Sequence, residues 1–234
     1  MINGVLFGDK HSYTDWGLVL QERPVISTPS VKTNYISIPG GNGSIDLTEI
    51  LSDDVKYDNR EITCKFHVLN DRNNWSDIYT MLQEHLHGQA MQIVLDEDNL
   101  YYYKGRVSVD EWMSSKTTST ITVKAIVEPY KYERFSSLEF EKWAENMIVN
   151  ENARNYRDIS ILNTRTFEIV GTRMHVIPTF EVTGTSMQVY FNNNSFTLPV
   201  GKSRVMNIVI KEGINVLEFK GEGTVSIDYR GGRL

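Results

Sequence analysis

The chain has 234 residues, of which 40% are hydrophobic and 23% charged, a balance typical of globular proteins and not of disordered ones. No apolar run reaches the ~18–20 residues needed to span a bilayer, the first residues lack a secretory-signal pattern, and one cysteine, Cys64, excludes an intrachain disulfide. The net charge of −6 lies in the first half: residues 1–132 carry 12 Lys and Arg against 18 Asp and Glu, whereas residues 133–234 carry 12 of each. An acidic segment repels phosphate, so we expect no specific binding of nucleic acid.

The first half is predicted to be mostly β-structure. Short strands are expected around Val5 and Phe7 and again over residues 16–20. The next clear pattern is ISIPGGNGSIDL, residues 36–47, in which apolar residues alternate on both sides of a break rich in Gly and Asn. Alternation of period two predicts strands, and such a break allows a reversing turn, so we predict a β-hairpin with a flexible tip.

The rest of the first half continues this pattern around one helix. In REITCKFHV, residues 60–68, Ile62, Cys64 and Phe66 are expected to face the core. NNWSDIYTMLQEHLHG, residues 73–88, carries apolar residues at helical spacing and predicts an amphipathic helix. Strands are then expected on both sides of a turn at residues 96–99 and over residues 119–127.

The second half is divided into a connector and a second β-domain. Residues 133–157 are polar and lack a sustained apolar period, so they are predicted to connect a first domain, residues 1–132, to a last one. Residues 158–234 contain short apolar strands separated by Gly or Asn, which is typical of a β-sandwich.

No motif predicts catalysis, a cofactor or a metal. PVGKS, residues 199–203, has the end of a phosphate-binding loop but not its first glycine, and its flanks are strands. His85 and His87 are two residues apart, so on a helix they cannot share a metal ion. The tyrosines at 101–103 would bind a sugar only if their rings were exposed. We therefore expect a binding or assembly protein and not an enzyme.

The order of the segments resembles that of a known family. The resemblance is carried by six stretches in this order: FGDKHSYTDWGLVL, IPGGNGSIDLTE, YDNREITCKF, a Trp-led helix ending in LHG, IVLDED followed by YYYKGRV, and VKAIVEPYKYE, with a small β-domain ending in IDYRGGRL. In this order they are similar to the distal tail protein family of siphophages, in phages and prophages of Gram-positive bacteria.

The resemblance implies a fold and a location. It implies a mainly β protein with an N-terminal tail-tube-like barrel or sandwich carrying one helix, and a C-terminal sandwich like those of galectins and carbohydrate-binding modules. It implies a virion protein, made in the host cytoplasm, that forms a hexameric ring at the tail tip. Its expected partners are the tail tube protein, the tail-associated tip or lysin protein and, in some members, a receptor-binding protein. DNA would pass through the ring.

Under this resemblance the Gly-rich hairpin becomes the candidate assembly interface, because strand edges readily extend the sheet of a neighbouring subunit. The expected interface residues are Ile36, Ile38, Gly40, Gly41, Asn42, Gly43, Ile45 and Leu47. Two other functions remain open at this point: a carbohydrate-binding module for a host-surface glycan, and a tail-borne glycosidase.

Overall fold

The computed structural model describes residues 4–50, 54–139 and 155–234. The chain divides into two compact units, Met1–Lys131 with Leu234, and Tyr132–Arg233. Both are built mainly from β-strands, and the predicted mainly β fold is confirmed. The boundaries proposed for the domains stay a prediction.

The first unit is built around one antiparallel sheet. Its strands are hydrogen-bonded in the order β2-β1-β8-β9-β10-β7-β3, with β4 also on β7, whereas β5 and β6 form a separate two-stranded sheet. The strands are β1 (Val5–Phe7), β2 (Lys10–His11), β3 (Leu18–Leu20), β4 (Val25–Ile26), β5 (Tyr35–Ser37), β6 (Ser44–Asp46), β7 (Arg60–Val68), β8 (Ala90–Leu95), β9 (Tyr101–Ser114) and β10 (Ser119–Val127).

Strand β7 shows why this sheet has a buried inner face. Ile62, Cys64 and Phe66 alternate with polar residues and all three are buried, as the sequence predicts. Strand β10 matches them in register, since Ile121 lies opposite Phe66 and Val123 lies opposite Cys64. Apolar residues on one face of each strand therefore form a single core.

The two ends of the sheet meet at Ser12. Its N–H donates to the Val5 carbonyl (2.8 Å) and its own carbonyl accepts from the N–H of Leu18 (2.8 Å), while its Oγ accepts from the N–H of Val5 (3.0 Å). The rings of Phe7 on β1 and Phe66 on β7 pack edge to face at 6.3 Å. The sheet thus curls around its core in the manner of a barrel.

The predicted helix is confirmed as α1 (Trp75–Leu86). Its stripe of Trp75, Ile78, Leu82 and Leu86 is buried in the core of the first unit. Gly88 follows with a φ of +78°, a conformation that favours glycine after a helix end. Within the described ranges, no helix is long and apolar enough to cross a membrane.

The second unit has its own sheet and core. Its main sheet runs in the order β15-β14-β17-β13-β16, and β12 pairs with β17 along its whole length, from Ile159 opposite Val225 to Gly171 opposite Gly213. The strands are β11 (Lys131–Glu133), β12 (Ile159–Gly171), β13 (Thr179–Gly184), β14 (Met187–Phe191), β15 (Asn194–Leu198), β16 (Gly201–Arg204), β17 (Gly213–Asp228) and β18 (Gly232–Arg233).

The long strand β17 changes partners near a pair of glycines. Before Gly221 it pairs with β14, and from Gly223 onward it pairs with β13. Gly221 and Gly223 have φ values of +147° and +140°. A Cβ at Gly223 would lie 2.1 Å from the carbonyl oxygen of Thr183, so this crossing requires glycine.

The segment predicted as a connector is only partly described. Glu133 is buried, and its carboxylate accepts from the N–H of Gly231 (2.8 Å). Ser137 donates from its Oγ to the Ile227 carbonyl (2.6 Å). Residues 140–154 of the predicted connector lie outside the described residues.

Candidate assembly surface

A long excursion leaves the first unit between β4 and β7, and we call residues 25–50 and 54–58 the arm. Its start is held by β4, in which Val25 pairs with Thr63 of β7. Further out, Val31 and Tyr57 form a β-bridge. Beyond this bridge the arm continues into the hairpin of β5 and β6, and residues 32–46 are exposed.

The hairpin predicted from the Gly-rich sequence is confirmed. Strands β5 and β6 are antiparallel, with Ile36 opposite Ile45 and Ser37 opposite Ser44. Because side chains alternate along a strand, Ile36, Ile38 and Ile45 lie on one face and the two serines on the other. The hairpin therefore has one apolar face and one polar face.

The tip of the hairpin depends on glycine. Gly40 and Gly43 have φ values of +75° and +83°, which side chains with a Cβ rarely adopt. The N–H of Gly41 donates to the Ile38 carbonyl (3.1 Å), closing a tight turn beside Asn42. The turn fixes the register that places the isoleucines together.

The base of the hairpin is held by local hydrogen bonds. The N–H of Leu47 donates to the Asn34 carbonyl (2.8 Å), and the N–H of Thr48 donates to Oδ1 of Asp46 (2.9 Å). Hydrogen bonds from the side chain and backbone of Thr48 hold the pKa of Asp46 below its ordinary value. The nearby Asp46 carboxylate in turn raises the pKa of Tyr35.

The apolar face of the hairpin is uncovered. Ile36, Ile38 and Ile45 are 51%, 43% and 51% exposed, whereas Leu47 at the base is half-buried. In the described part of the chain, β5 and β6 pair only with each other. The first unit's own sheet therefore does not cover this face, although a two-stranded hairpin is marginal in water without other support.

The sequence analysis did not identify the other exposed apolar residues of the arm. Val25, Val31 and Ile50 are exposed large hydrophobic residues that flank the hairpin. None of them lies in an alternating apolar and polar pattern, so periodicity gave no signal for them. A usable signal would have been the unusual number of aliphatic residues in a segment otherwise rich in turn formers.

The tyrosines considered for sugar binding and the acidic turn at residues 96–98 contact other groups of the protein. Tyr102 and Tyr103 are buried, and Tyr101 is half-buried, with Nζ of Lys131 4.5 Å from its ring centroid. The carboxylates of the acidic turn at residues 96–98 each contact a group of the chain. These contacts join Asp96 Oδ2 to Gly4 N (2.7 Å), Glu97 Oε2 to Arg23 Nε (2.8 Å) and Asp98 Oδ2 to Lys131 Nζ (2.6 Å).

The two histidines near the end of α1 also point to separate partners. Nδ1 of His85 lies 2.9 Å from the Met81 carbonyl oxygen, while Nδ1 of His87 accepts from the N–H of Val109 (3.2 Å). Among the described residues, no group of three His, Cys, Asp or Glu side chains is placed to hold a metal ion.

Comparison with known proteins identifies the fold. No protein-family model matches the sequence, and no curated protein matches it significantly. Among solved structures, the chain is similar to the Dit protein (gp 19.1) of phage SPP1, with a TM-score of 0.65 and 14% sequence identity over 100% of both chains. That protein is described as a paradigm of the hub adsorption apparatus in phages that infect Gram-positive bacteria. The likeness shows a shared fold over the entire length.

Proposed function

We propose that this protein is the hub at the distal end of a phage tail, where it forms a ring that joins the tail tube to the tail tip. The observation that carries the proposal is the fold shared with SPP1 Dit over the full length of both chains. Because the match includes both units, it favours a common overall role and not the reuse of one small domain.

The arm supports a role in assembly. Three isoleucines at its end are about half exposed, on a hairpin that the chain's own sheet does not pair with. Contiguous exposed apolar surface of this kind marks protein–protein contact sites. We propose that the ring is a hexamer whose contacts lie mainly in the first unit.

The charge distribution is compatible with a DNA conduit. The excess of six acidic residues lies in residues 1–132, the part proposed to build the ring. A wall of negative charge repels the phosphate backbone and lets DNA pass without binding it. The proposed partners are the tail tube protein on one face, the tail-associated tip or lysin protein on the other, and a receptor-binding protein at the periphery.

Electron microscopy and light scattering of the purified full-length chain test the proposal. We expect ring-shaped particles with a mass six times the 26.9 kDa of one chain. Assembly of the ring onto purified tail tubes would support the hub position. A chain that stays monomeric at high concentration, with no binding to either tail component, would reject the proposal.

Two further assays address the other functions that the sequence left open. Binding to a glycan array in the absence of tail components would favour a carbohydrate-binding module. Release of sugars from cell-wall polymer would favour a glycosidase. We expect neither result, and the burial of Tyr102 and Tyr103 takes these two rings out of consideration for stacking on a sugar.

A further inference from the structure

Two Asn-Gly pairs occur in the sequence, Asn3-Gly4 and Asn42-Gly43. In such a pair the backbone nitrogen of the glycine can attack the side-chain carbonyl carbon of the asparagine, because glycine has no Cβ to obstruct the approach. The reaction needs an amide nitrogen that is free to lose its proton, and it needs space in which the ring can close. The structure meets these conditions at one of the two glycines and not at the other.

The second pair lies at the tip of the hairpin, where both reacting groups are accessible. Asn42 and Gly43 are exposed, and a Cβ placed on Gly43 would meet no atom within 4 Å. The turn is closed by the N–H of Gly41 and not by that of Gly43. Among the described residues, neither the Gly43 N–H nor the Asn42 side chain has a hydrogen-bond partner. Both groups are therefore free to react and open to water.

The glycine of the first pair is held in the opposite environment. Gly4 is buried, and its N–H donates to Oδ2 of Asp96 (2.7 Å). The negative charge of that carboxylate opposes the formation of an amide anion beside it. The space next to Gly4 is also filled, since a Cβ there would lie 2.6 Å from Nε2 of His11 and 3.0 Å from Oγ of Ser12. Attack by the Gly4 nitrogen is therefore blocked by charge and by packing.

Exposure of an asparagine is not sufficient by itself. Asn192 and Asn193 form the exposed turn between β14 and β15, but each is followed by another asparagine. The side chain of the following residue crowds the backbone nitrogen that would have to attack. In the described part of the chain, an exposed asparagine is followed by glycine only at Asn42.

We infer that Asn42 is a site of spontaneous deamidation in the folded chain and that Asn3 is protected from it. Hydroxide removes the amide proton of Gly43, the nitrogen forms a bond to Cγ of Asn42, and the side-chain nitrogen takes up a proton and leaves as ammonia. Water then opens the cyclic imide at either of its carbonyl carbons, which gives aspartate or isoaspartate at position 42. The net reaction consumes one water and releases one ammonia, with no oxidation or reduction.

The products change the tip of the arm in charge and in geometry. Both carry a new carboxylate on a segment, residues 33–49, that contains Asp46 and Glu49 but no Lys or Arg. Isoaspartate also routes the main chain through the former side chain, which inserts one carbon into the turn. Because this turn sets the register of Ile36 opposite Ile45, the isoaspartyl form alters the pairing of β5 with β6.

Incubation of the dilute full-length chain at neutral and mildly alkaline pH tests the inference. Peptide mapping by mass spectrometry follows positions 3 and 42, and protein isoaspartyl methyltransferase measures isoaspartate. We expect both products at position 42, faster at higher pH. We expect Asn3 to react at least about tenfold more slowly, because the hydrogen bond from Gly4 to a charged group must break first. Isoaspartate identifies the cyclic imide, since direct hydrolysis of the side chain yields aspartate alone.

Asn3 provides an internal control when the chain is denatured. Both Asn-Gly pairs are then free of the fold, so their rates should become similar. Asn42→Gln keeps the amide but lengthens the side chain, and it should suppress the reaction at position 42 because the larger ring closes more slowly. Asn192 and Asn193 should stay intact in the native chain over the same period.

The outcomes separate this inference from the hub proposal. Reaction at Asn3 as fast as at Asn42 in the native chain, or no isoaspartate at position 42, would overturn the inference. Reaction at Asn192 as fast as at Asn42 would show that exposure alone governs the rate and would also overturn it. A chain that reacts at Asn42 but never assembles would support the inference and contradict the hub. A chain that forms rings but stays intact at Asn42 when dilute would do the reverse.

Discussion

In strand β7 the apolar side chains of Ile62, Cys64 and Phe66 are at most 2% exposed, whereas Ile36 and Ile45 in the hairpin are each 51% exposed. Both segments follow the same alternation of apolar and polar residues. Strand β7 has partners on both sides, β10 on one and β3 with β4 on the other. The hairpin strands pair only with each other in the described part of the chain.

The difference teaches that alternation predicts a strand but not the partner of its apolar face. In β7 the apolar face is already buried in the core. In the hairpin the same kind of surface remains uncovered, and burying an isoleucine side chain typically contributes about 1.5–3 kcal/mol. The three isoleucines are about half exposed, so covering them fully would contribute about 2–4.5 kcal/mol to association, before its entropic cost is subtracted.

The largest expected difference between the two regions is in thiol reactivity. Burial raises the pKa of the Cys64 thiol to about 12, and the thiolate is the reactive form. A cysteine introduced as Ile45→Cys lies on exposed surface. We expect Cys64 to react with the label at least about a thousandfold more slowly than the introduced cysteine. A buried thiol reacts only when the domain opens, and in small domains the native state is favoured over the unfolded state by factors of about 10³–10⁸.

Labelling kinetics with a maleimide, followed by mass spectrometry on dilute protein, measure this difference. The control is the same pair of thiols in denaturant, where both should react at similar rates. Equal labelling rates of the two thiols in the native protein would mean that the first unit opens readily and that its core does not protect Cys64.

The next largest effect concerns the core of the first unit. Phe66 is fully buried and packs against Phe7 at 6.3 Å. Replacing such a residue, here by Phe66→Ala, typically lowers the free energy of unfolding by about 3–5 kcal/mol. The matched change in the hairpin, Ile45→Ala, should alter it by less than about 0.5 kcal/mol in the monomer, since exposed side chains contribute little.

Urea denaturation of both variants at monomeric concentration checks this pair. If Ile45→Ala destabilised the free chain as much as Phe66→Ala, the hairpin would belong to the core of its own subunit. The subunit contacts of the ring would then have to lie elsewhere.

A smaller effect is expected on assembly. Lysines placed as Ile38→Lys and Ile45→Lys add charge to the apolar face, whereas Ser37→Lys and Ser44→Lys add the same charge to the polar face. We expect the first pair to weaken subunit association by about tenfold or more, or 1.4 kcal/mol, and to leave the circular dichroism of the fold unchanged. The second pair should have less effect, because it leaves the apolar face of the hairpin intact.

Sedimentation velocity over a range of concentrations compares the two lysine pairs. Equal weakening by both would indicate that net charge and not the apolar face controls association. Association as strong as in the unmodified chain for Ile38→Lys with Ile45→Lys would refute the role of the hairpin in the interface.

Local sequence patterns predicted the helix and the strands, but they did not predict that the two ends of the first unit's sheet meet. The stripe of Trp75, Leu82 and Leu86 was sufficient to predict α1, because helical spacing is a property of the segment itself. The joining of the sheet ends at Ser12 depends on hydrogen bonds to Val5 and Leu18, which no periodicity marks.

The candidate interface was predictable in part for the same reason. The apolar face of the hairpin follows from alternation and the Gly-rich turn, both of which are local. The other exposed apolar residues of the arm, Val25, Val31 and Ile50, follow no alternation, and their exposure is set by the assembled structure. Identifying these residues therefore needed the structure.

The smallest expected effect is a pH dependence confined to the hairpin base. Hydrogen bonds from Thr48 lower the pKa of the Asp46 carboxyl in the folded state. Because the folded pKa lies below the unfolded one, the stabilisation is fully present above the unfolded value and is lost as pH falls through the folded value. Acidification into this range should therefore speed hydrogen exchange at the Thr48 amide and leave the amides of β7 protected. Asp46→Asn should abolish the pH dependence, and the same acid response in that variant would show that another group controls the hairpin base.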